Sequence, residues 1–134
     1  MTHALDHIRV KDVMHHGILS CPADAPLGQV AAMMAEHRVH AVAVTRQQGL
    51  RPVGVVSDRD LVAAVASGDE PSALQVAAAE PPAVSAEDSI RRAAQCMAEH
   101  GVAHLVVREA ASGYPIGILS TLDVAAVVAR AADA

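Results

Sequence analysis

The chain has 134 residues, which is enough for one compact domain or two very small ones that share a core. Ten Lys and Arg against fifteen Asp and Glu give a formal net charge of −5, so we expect no broad cationic surface for nucleic acid. Tyr114 is the one aromatic residue, which excludes recognition of single strands by base stacking.

The apolar runs and the cysteines indicate a cellular location. The runs at 61–66 and 124–129 are far shorter than the roughly 20 residues that cross a bilayer, so no membrane partner is expected. The first thirteen residues lack the hydrophobic region of a signal peptide. Cys21 and Cys96 lack the spacing of a metal-binding pair and fit a reducing compartment. We therefore predict a cytoplasmic protein.

The first half of the chain predicts a strand, a helix, two strands and a second helix. After an extension (1–9) and a lead-in (10–14), Leu27, Val30, Ala31 and Met34 follow helical spacing, with Asp24 as the predicted N-cap. The short apolar runs at 41–44 and 53–56 predict buried strands. A helix is predicted over 58–67, and a linker over 68–72.

The second half predicts the same order of elements. A short helical turn is expected at 73–79, and Ser85 with Asp88 predicts a capping box for a helix that contains Ile90 and Met97. Strands are predicted at 105–107 and 116–119, and a final helix over 121–132. Cys96, Met33, Met34 and Met97 are expected in the core.

An internal duplication organises the whole chain. The segment Ala35-Glu36-His37-Arg38-Val39 returns 63 residues later as Ala98-Glu99-His100-Gly101-Val102, and Pro52–Ser57 returns as Pro115–Ser120 at the same offset. A repeat of this size cannot bury a good core alone. We therefore predict a mixed α/β fold of two tandem β-α-β-β-α repeats, 10–67 and 73–132, packed with pseudo-twofold symmetry.

Each repeat carries one segment whose residue types could bind a ligand. These segments are Gly54-x-x-Ser57-x-x-Asp60 and Gly117-x-x-Ser120-x-x-Asp123. A helix start attracts phosphate, a hydroxyl can add a hydrogen bond, and a carboxylate one turn later can accept two bonds from a ribose diol. The strand glycine would let a ligand lie against the backbone. The alternative is that Ser-x-x-Asp is simply a capping box. Its recurrence at a fixed offset favours a nucleotide site.

The chain resembles a pair of CBS domains, also called a Bateman module. The resemblance rests on these two segments, on the lead-in Val10-Lys11-Asp12-Val13-Met14, and on the stretches 34–44 and 97–107. The resemblance implies a stand-alone regulatory module that binds AMP, ADP, ATP or S-adenosylmethionine in two clefts between the repeats. It also implies a dimer that signals to an effector protein and catalyses nothing. No nucleophile with a neighbouring base and no lysine-containing phosphate loop is evident.

The resemblance assigns residues to two clefts by position. The preferred cleft takes Ser120, Thr121, Asp123, Ile118, Met14, Gly17, Ile18, Leu19, Val39, His40 and His104. The second cleft takes Ser57, Asp58, Arg59, Asp60, Val55, Ala77, Glu80, Pro81, Pro82, Val102 and Ala103.

The second cleft departs from the family pattern in two ways. Pro82 has no backbone N–H to offer an adenine, and Asp58 adds a negative charge where Thr121 offers a hydroxyl. Arg59 could offset that charge, particularly if Mg²⁺ accompanies a polyphosphate. We therefore predict the Asp123 cleft to be the better site, with an adenine nucleotide as regulatory ligand and no covalently bound cofactor.

Two further features of the sequence concern partners and metals. The helices at 58–67 and 121–132 are apolar almost all round, which predicts a homodimer through them. A ligand-free dimerising scaffold is the main alternative function. A histidine-based metal sensor is less favoured, because the spacing of the histidines singles out no metal site. The histidines are His3, His7, His15, His16, His37, His40, His100 and His104. His40 and His104 are predicted either to contact phosphate or to make nucleotide affinity vary with pH through their charge.

Overall fold

The computed structural model describes residues 2–46, 52–77 and 81–133. The elements in chain order are α1 (Thr2–His7), a 3-10 turn (Val10–Asp12), β1 (His15–His16), β2 (Leu19–Pro22), α2 (Leu27–His37), β3 (Ala41–Thr45), β4 (Gly54–Ser57), α3 (Asp58–Ser67), α4 (Ala73–Val76), β5 (Ala83–Ser85), α5 (Ile90–His100), β6 (His104–Arg108), β7 (Pro115–Ser120) and α6 (Thr121–Asp133). They form two compact units. We call Met1–Gly17 with Pro82–Ala134 the terminal unit, and Ile18–Pro81 the central unit.

The terminal unit is a four-stranded sheet packed against helices. The strand order is β1-β7-β6-β5, in which β5 and β6 are parallel and the other pairs are antiparallel. Helices α1, α5 and α6 contact one another. Ile90, Leu105 and Leu119 are fully buried, and Val10 from the 3-10 turn lies in the same core. The core therefore includes residues from both ends of the chain.

The central unit is a three-stranded sheet in the order β2-β3-β4. Strand β2 is parallel to β3, and β3 is antiparallel to β4. Val30 of α2 packs with Val42, Val44 and Val56 of the strands. These side chains are β-branched and small, which suits a pleated, fully buried surface.

The compact units do not coincide with the sequence repeats, because each lead-in packs in the unit built mainly from the other repeat. The Val10 N–H donates to Asp88 O at 2.8 Å. At the matching place in the central unit, the Ala73 N–H donates to Ala25 O, also at 2.8 Å. The same hydrogen bond therefore forms in both units, and in each unit it joins the lead-in of one repeat to a segment of the other repeat.

Most of the predicted elements are confirmed, including the two tandem α/β repeats. The predicted turn at 73–79 is the helix Ala73–Val76, while residues 78 and 79 lie outside the described residues. Cys96, Met34 and Met97 are buried as expected, and Met33 is partly buried against the core of the central unit. No helix in the described ranges has the length and apolar character that would carry it across a membrane.

Two predicted helix starts are wrong. The residue before α2 is Pro26 rather than Asp24, and its extended backbone is held by a bridge to Ser72. The Ser85 N–H does donate to Asp88 Oδ2 at 2.9 Å, but this closes a turn. Helix α5 begins at Ile90, because Ile90 N–H donates to Ile8 O and Ser89 is its N-cap. Both differences arise because a distant segment fixes the backbone just before the helix.

Candidate functional site

The junction of β7 and α6 holds the carboxylate that we predicted to bind ribose. The Ser120 N–H donates to Asp123 Oδ2 at 2.9 Å, and the Asp123 N–H donates to Ser120 Oγ at 3.1 Å. This is a complete capping box. It uses one oxygen of the Asp123 carboxylate, whose side chain is 15% exposed. Thr121, the first residue of α6, is exposed.

The lead-in continues into β1, which lies along β7 beside this junction, and we use the name lead-in for residues 10–17 from here on. Strand β1 pairs antiparallel with β7 through His15 and Ile118, and the Gly17 N–H donates to Ile116 O at 2.7 Å. A side chain on Gly117 would collide with the carbonyl oxygen of His15 and would lie 3.2 Å from Met14 Sδ. Gly117 therefore makes room for the lead-in backbone. That a strand glycine also lets a ligand lie against the backbone stays a prediction.

His15 contacts the second oxygen of the Asp123 carboxylate. Its Nε2 lies 3.2 Å from Asp123 Oδ1. The imidazole is largely exposed, whereas the carboxylate is mostly covered. The two oxygens of Asp123 therefore have different partners, the cap of α6 and a side chain of the lead-in.

The junction of β4 and α3 repeats the capping box in the central unit. The Ser57 N–H donates to Asp60 Oδ2 at 2.8 Å, and the Asp60 N–H donates to Ser57 Oγ at 3.1 Å. Asp60 also borders an open cavity of about 360 Å³ between α3 and α4, together with Ser67, Asp69 and Gln75. The cavity is lined mainly by neutral side chains, with the two carboxylates at its wall.

Asp58, at the start of α3, has a cationic partner when the imidazole of His40 is protonated. His40 Nδ1 lies 2.8 Å from Asp58 Oδ2, and the Asp58 N–H donates to His40 O at 2.9 Å. Our assignment had separated these residues, with His40 in the preferred cleft and Asp58 in the second. In the terminal unit the matching backbone bond runs from Thr121 N–H to Ala103 O. That pair carries no charge.

The arrangement offers a ligand two helix starts, each with a hydroxyl and a carboxylate. Backbone N–H groups at a helix start favour phosphate, and a carboxylate oxygen outside the cap can accept a hydroxyl hydrogen bond. Both cysteines are free thiols, and burial raises the pKa of Cys21 and of Cys96 above the ordinary value. The thiols stay protonated at neutral pH, so neither is an activated nucleophile.

The comparison with protein families decides the assignment. Residues 10–67 and 74–130 each match the family described as CBS domain. The chain belongs to the CBS domain family. Its two CBS repeats account for most of the sequence, and a search of curated proteins found no significant match to it.

Several solved structures share the fold of this CBS pair. The CBS domain protein PAE2072 from Pyrobaculum aerophilum, complexed with AMP, is 33% identical, with 95% of this chain and 100% of that chain covered and a TM-score of 0.78. Hypoxic Response Protein I with two coordinated zinc ions is 27% identical, with 88% and 97% covered and a TM-score of 0.70. The CBS domain pair of protein MJ0100, in complex with 5′-methylthioadenosine and S-adenosyl-L-methionine, is 14% identical, with 92% and 97% covered and a TM-score of 0.80.

The structure divides the residues of the preferred cleft between the two units. The terminal unit brings together Met14, Gly17, His104, Ile118, Ser120, Thr121 and Asp123. His104 lies opposite Ser120 in the β6–β7 pairing, and Met14 is buried in the core of the terminal unit. The central unit contains Ile18, Leu19, Val39 and His40. That the second group completes the site of the first stays a prediction.

The residues of the second cleft are divided in the same way. The central unit contains Val55, Ser57, Asp58, Arg59, Asp60, Ala77 and Pro81. The terminal unit contains Pro82, Val102 and Ala103. The carbonyl oxygen of Pro82 accepts from Val106 N–H at 3.2 Å, so the sheet uses this main-chain acceptor. Glu80 lies outside the described residues.

His15 was not among the residues predicted for either cleft, although it contacts Asp123. The available signal was its position in the chain, because His15 lies between Met14 and Gly17, which the resemblance had already assigned to the cleft of Asp123. The pairing of His40 with Asp58 was also missed. It follows from the hairpin register, because Ala41 opposite Ser57 brings the next residues outward, 40 and 58, together.

Proposed function

We propose that this CBS pair is a regulatory module that binds an adenosine-containing ligand, AMP, ADP, ATP or S-adenosylmethionine, with the ribose at Asp123. The observation that carries the proposal is that the two oxygens of the Asp123 carboxylate have different partners. The cap of α6 uses Oδ2, and Oδ1 faces away from the cap toward an exposed side chain. The AMP complex of the relative from Pyrobaculum aerophilum supports the choice of ligand class.

The preference for Asp123 over Asp60 rests on the first residue of each helix. Thr121 offers a neutral hydroxyl beside the helix start, whereas Asp58 places a carboxylate where a phosphate would lie. His40 offsets part of that charge, and a divalent ion such as Mg²⁺ would offset more. An unneutralised carboxylate next to phosphate opposes binding by like-charge repulsion.

The module is proposed to act without catalysis, as a cytoplasmic homodimer that passes the occupancy of its sites to an effector protein. CBS pairs are generally regulatory, and the two buried thiols are protonated. The proposed dimer surface comprises exposed apolar side chains on α3 and α6. Val62, Val65 and Leu122 are 66%, 71% and 77% exposed. Burial of such residues against a second copy would remove apolar surface from water.

A second candidate function is a dimerising scaffold that binds no nucleotide. The complete capping boxes at Asp60 and Asp123 favour it, because they give both Ser-x-x-Asp motifs a structural role. A metal sensor is the third candidate. Its support is the zinc-containing relative and the proximity of His40 to Asp58.

Calorimetric titration and thermal unfolding with AMP, ADP, ATP, ATP with Mg²⁺ and S-adenosylmethionine test the proposal. The variants are Asp123→Asn and its matched control Asp60→Asn, each of which keeps one oxygen for the cap. Wild type should gain roughly 2.7 kcal/mol of unfolding free energy at a hundredfold excess over Kd. Asp123→Asn should weaken binding by about tenfold or more, because it removes the charged acceptor.

The other outcomes separate the candidates. Loss of binding only in Asp60→Asn would overturn the preferred site. No response to any nucleotide would favour the scaffold. Zinc retained by protein purified without a histidine tag, and lost in His40→Gln, would favour the metal sensor.

A further inference from the structure

The Asp123 carboxylate has a competitor for the oxygen that a ribose would use. Asp123 Oδ2 accepts from Ser120 N–H at 2.9 Å, and Oδ1 lies 3.2 Å from His15 Nε2. The pair joins the lead-in strand to the first turn of α6 within the terminal unit. The His15 side chain is 75% exposed, so it can turn into solvent without opening the core.

The central unit provides an internal comparison. Asp60 makes the same capping box, at 2.8 and 3.1 Å. The residue 63 positions after His15 is Ala78, whose methyl group cannot pair with a carboxylate. Asp60 instead borders the open cavity between α3 and α4. The two carboxylates thus share a cap and differ in whether the lead-in supplies an imidazole.

We infer that His15 gates the Asp123 site. Its imidazole contacts Oδ1 of Asp123, and a bound ribose must displace it from that oxygen. The inference rests on the proposed function. A protonated imidazole makes a charge-assisted bond to the carboxylate, whereas a neutral one makes an ordinary bond, so displacement costs more in acid. Affinity at the Asp123 site therefore rises with pH, and affinity at the Asp60 site lacks this contribution.

Asp123 is the partner that His15 contacts, and the charged residues that precede β1 have partners of their own. The charged and titratable residues on the elements around it are Lys11 and Asp12 before β1, His16 on β1, His104 and Arg108 on β6, and Asp123, Arg130 and Asp133 on α6. Lys11 Nζ pairs with Glu87 at 3.0 Å, and Asp12 Oδ2 accepts from Arg9 N–H at 3.2 Å. The β7 residues paired with β1 are Ile118 and Gly117, which carry no charge.

His104 determines the choice of probe. It lies opposite Ser120, where a protonated ring would attract a phosphate and would make nucleotide affinity fall as pH rises. The phosphate itself titrates near neutral pH. The uncharged nucleoside 5′-methylthioadenosine avoids both effects, because it keeps the ribose diol and has no phosphate.

The experiment measures Kd for 5′-methylthioadenosine by calorimetry at about pH 6 and about pH 8, the range over which histidines titrate. The full chain carries Asp60→Asn so that only the Asp123 site is measured. We compare three proteins that carry Asp60→Asn. One has no further change, one adds His15→Gln, and the control adds His16→Gln, which changes the neighbouring exposed histidine. Affinity should rise about threefold to fivefold from the lower to the higher pH, the size expected of an exposed ion pair. His15→Gln should remove most of that rise and bind more tightly at the lower pH, while His16→Gln should keep it.

Two other results would overturn the inference and are distinguishable from each other. Binding with an unchanged pH response in His15→Gln, or weaker binding in that variant at both pH values, would show that His15 does not compete with the ligand. The proposed function would then stand. Absence of 5′-methylthioadenosine and AMP binding in every protein at both pH values, including wild type, would overturn the proposed function and the gate with it.

Discussion

The carbonyl oxygen of His15 occupies the space into which a side chain at Gly117 would project. The lead-in can therefore pair with β7 only while residue 117 lacks a Cβ. Gly117→Ala should destabilise the protein by about 1–3 kcal/mol, because the backbone of β1 must move. Urea denaturation measures the loss. Gly28→Ala is the matched control, since a Cβ there meets nothing within 4 Å, and its free energy of unfolding should stay the same or rise.

Helix α5 should depend on Ser89 for its N-cap. Ser89 Oγ accepts from Arg92 N–H at 3.1 Å, whereas Ser85 Oγ accepts from Glu87 N–H within the preceding turn. Ser89→Ala should lower the free energy of unfolding by about 1 kcal/mol. Ser89→Asp, which restores an acceptor, should recover most of it. An unaffected Ser89→Ala protein would mean that the cap contributes no stability.

The apolar faces of α3 and α6 should mediate self-association. Val65→Glu and Leu122→Glu place a charge on these faces and should convert a dimer to a monomer in sedimentation velocity experiments. Tyr114→Ser removes exposed apolar surface outside both helices and should leave the dimer intact. If wild type is monomeric at all accessible concentrations, the proposed dimer is wrong.

The pair formed by His40 and Asp58 should couple weakly and respond to salt. Both side chains are substantially exposed, so a double-mutant cycle with His40→Gln and Asp58→Asn should give about 0.2–1 kcal/mol. The coupling should shrink as ionic strength rises, because screening weakens exposed charge pairs. A coupling that is zero at low salt would show that the contact adds nothing to stability.

The two buried thiols should make the protein less stable in mild alkali. Burial raises the pKa of Cys21 and of Cys96 in the folded state, so the unfolded chain loses these protons first as pH rises. Their contribution to stability is complete below about pH 8.5, the unfolded value, and is lost above it. Urea midpoints measured across this range should fall less in Cys21→Ala than in wild type. Ellman's reagent should react slowly with native protein and quickly after denaturation.

The sequence predicted those parts of the fold that depend on local periodicity. Leu27, Val30, Ala31 and Met34 share a helical face, and the strand runs are continuous because both sheet faces are covered. The start of α5 was misjudged because its position depends on Ile90 N–H bonding to Ile8 O, a contact between segments far apart in the chain. No local pattern contains that bond.

The candidate site was predictable to a similar extent. Ser120 and Asp123 were identified because they are three residues apart at a helix start, a spacing that fixes their mutual position. His15 was not, since its approach to Asp123 depends on the pairing of β1 with β7 across more than half the chain. The one available indication was its place between Met14 and Gly17, which the resemblance assigned to the cleft of Asp123.

The exchange of lead-ins between repeats means that the duplicated gene segment and the folding unit begin at different residues. A chain cut in the linker at 68–72 would divide the central unit and would also separate Met1–Gly17 from the rest of the terminal unit. Neither half would then contain a complete core. A circular permutant opened between Gly17 and Ile18, with its old ends joined by a spacer, would instead encode each unit as one uninterrupted segment.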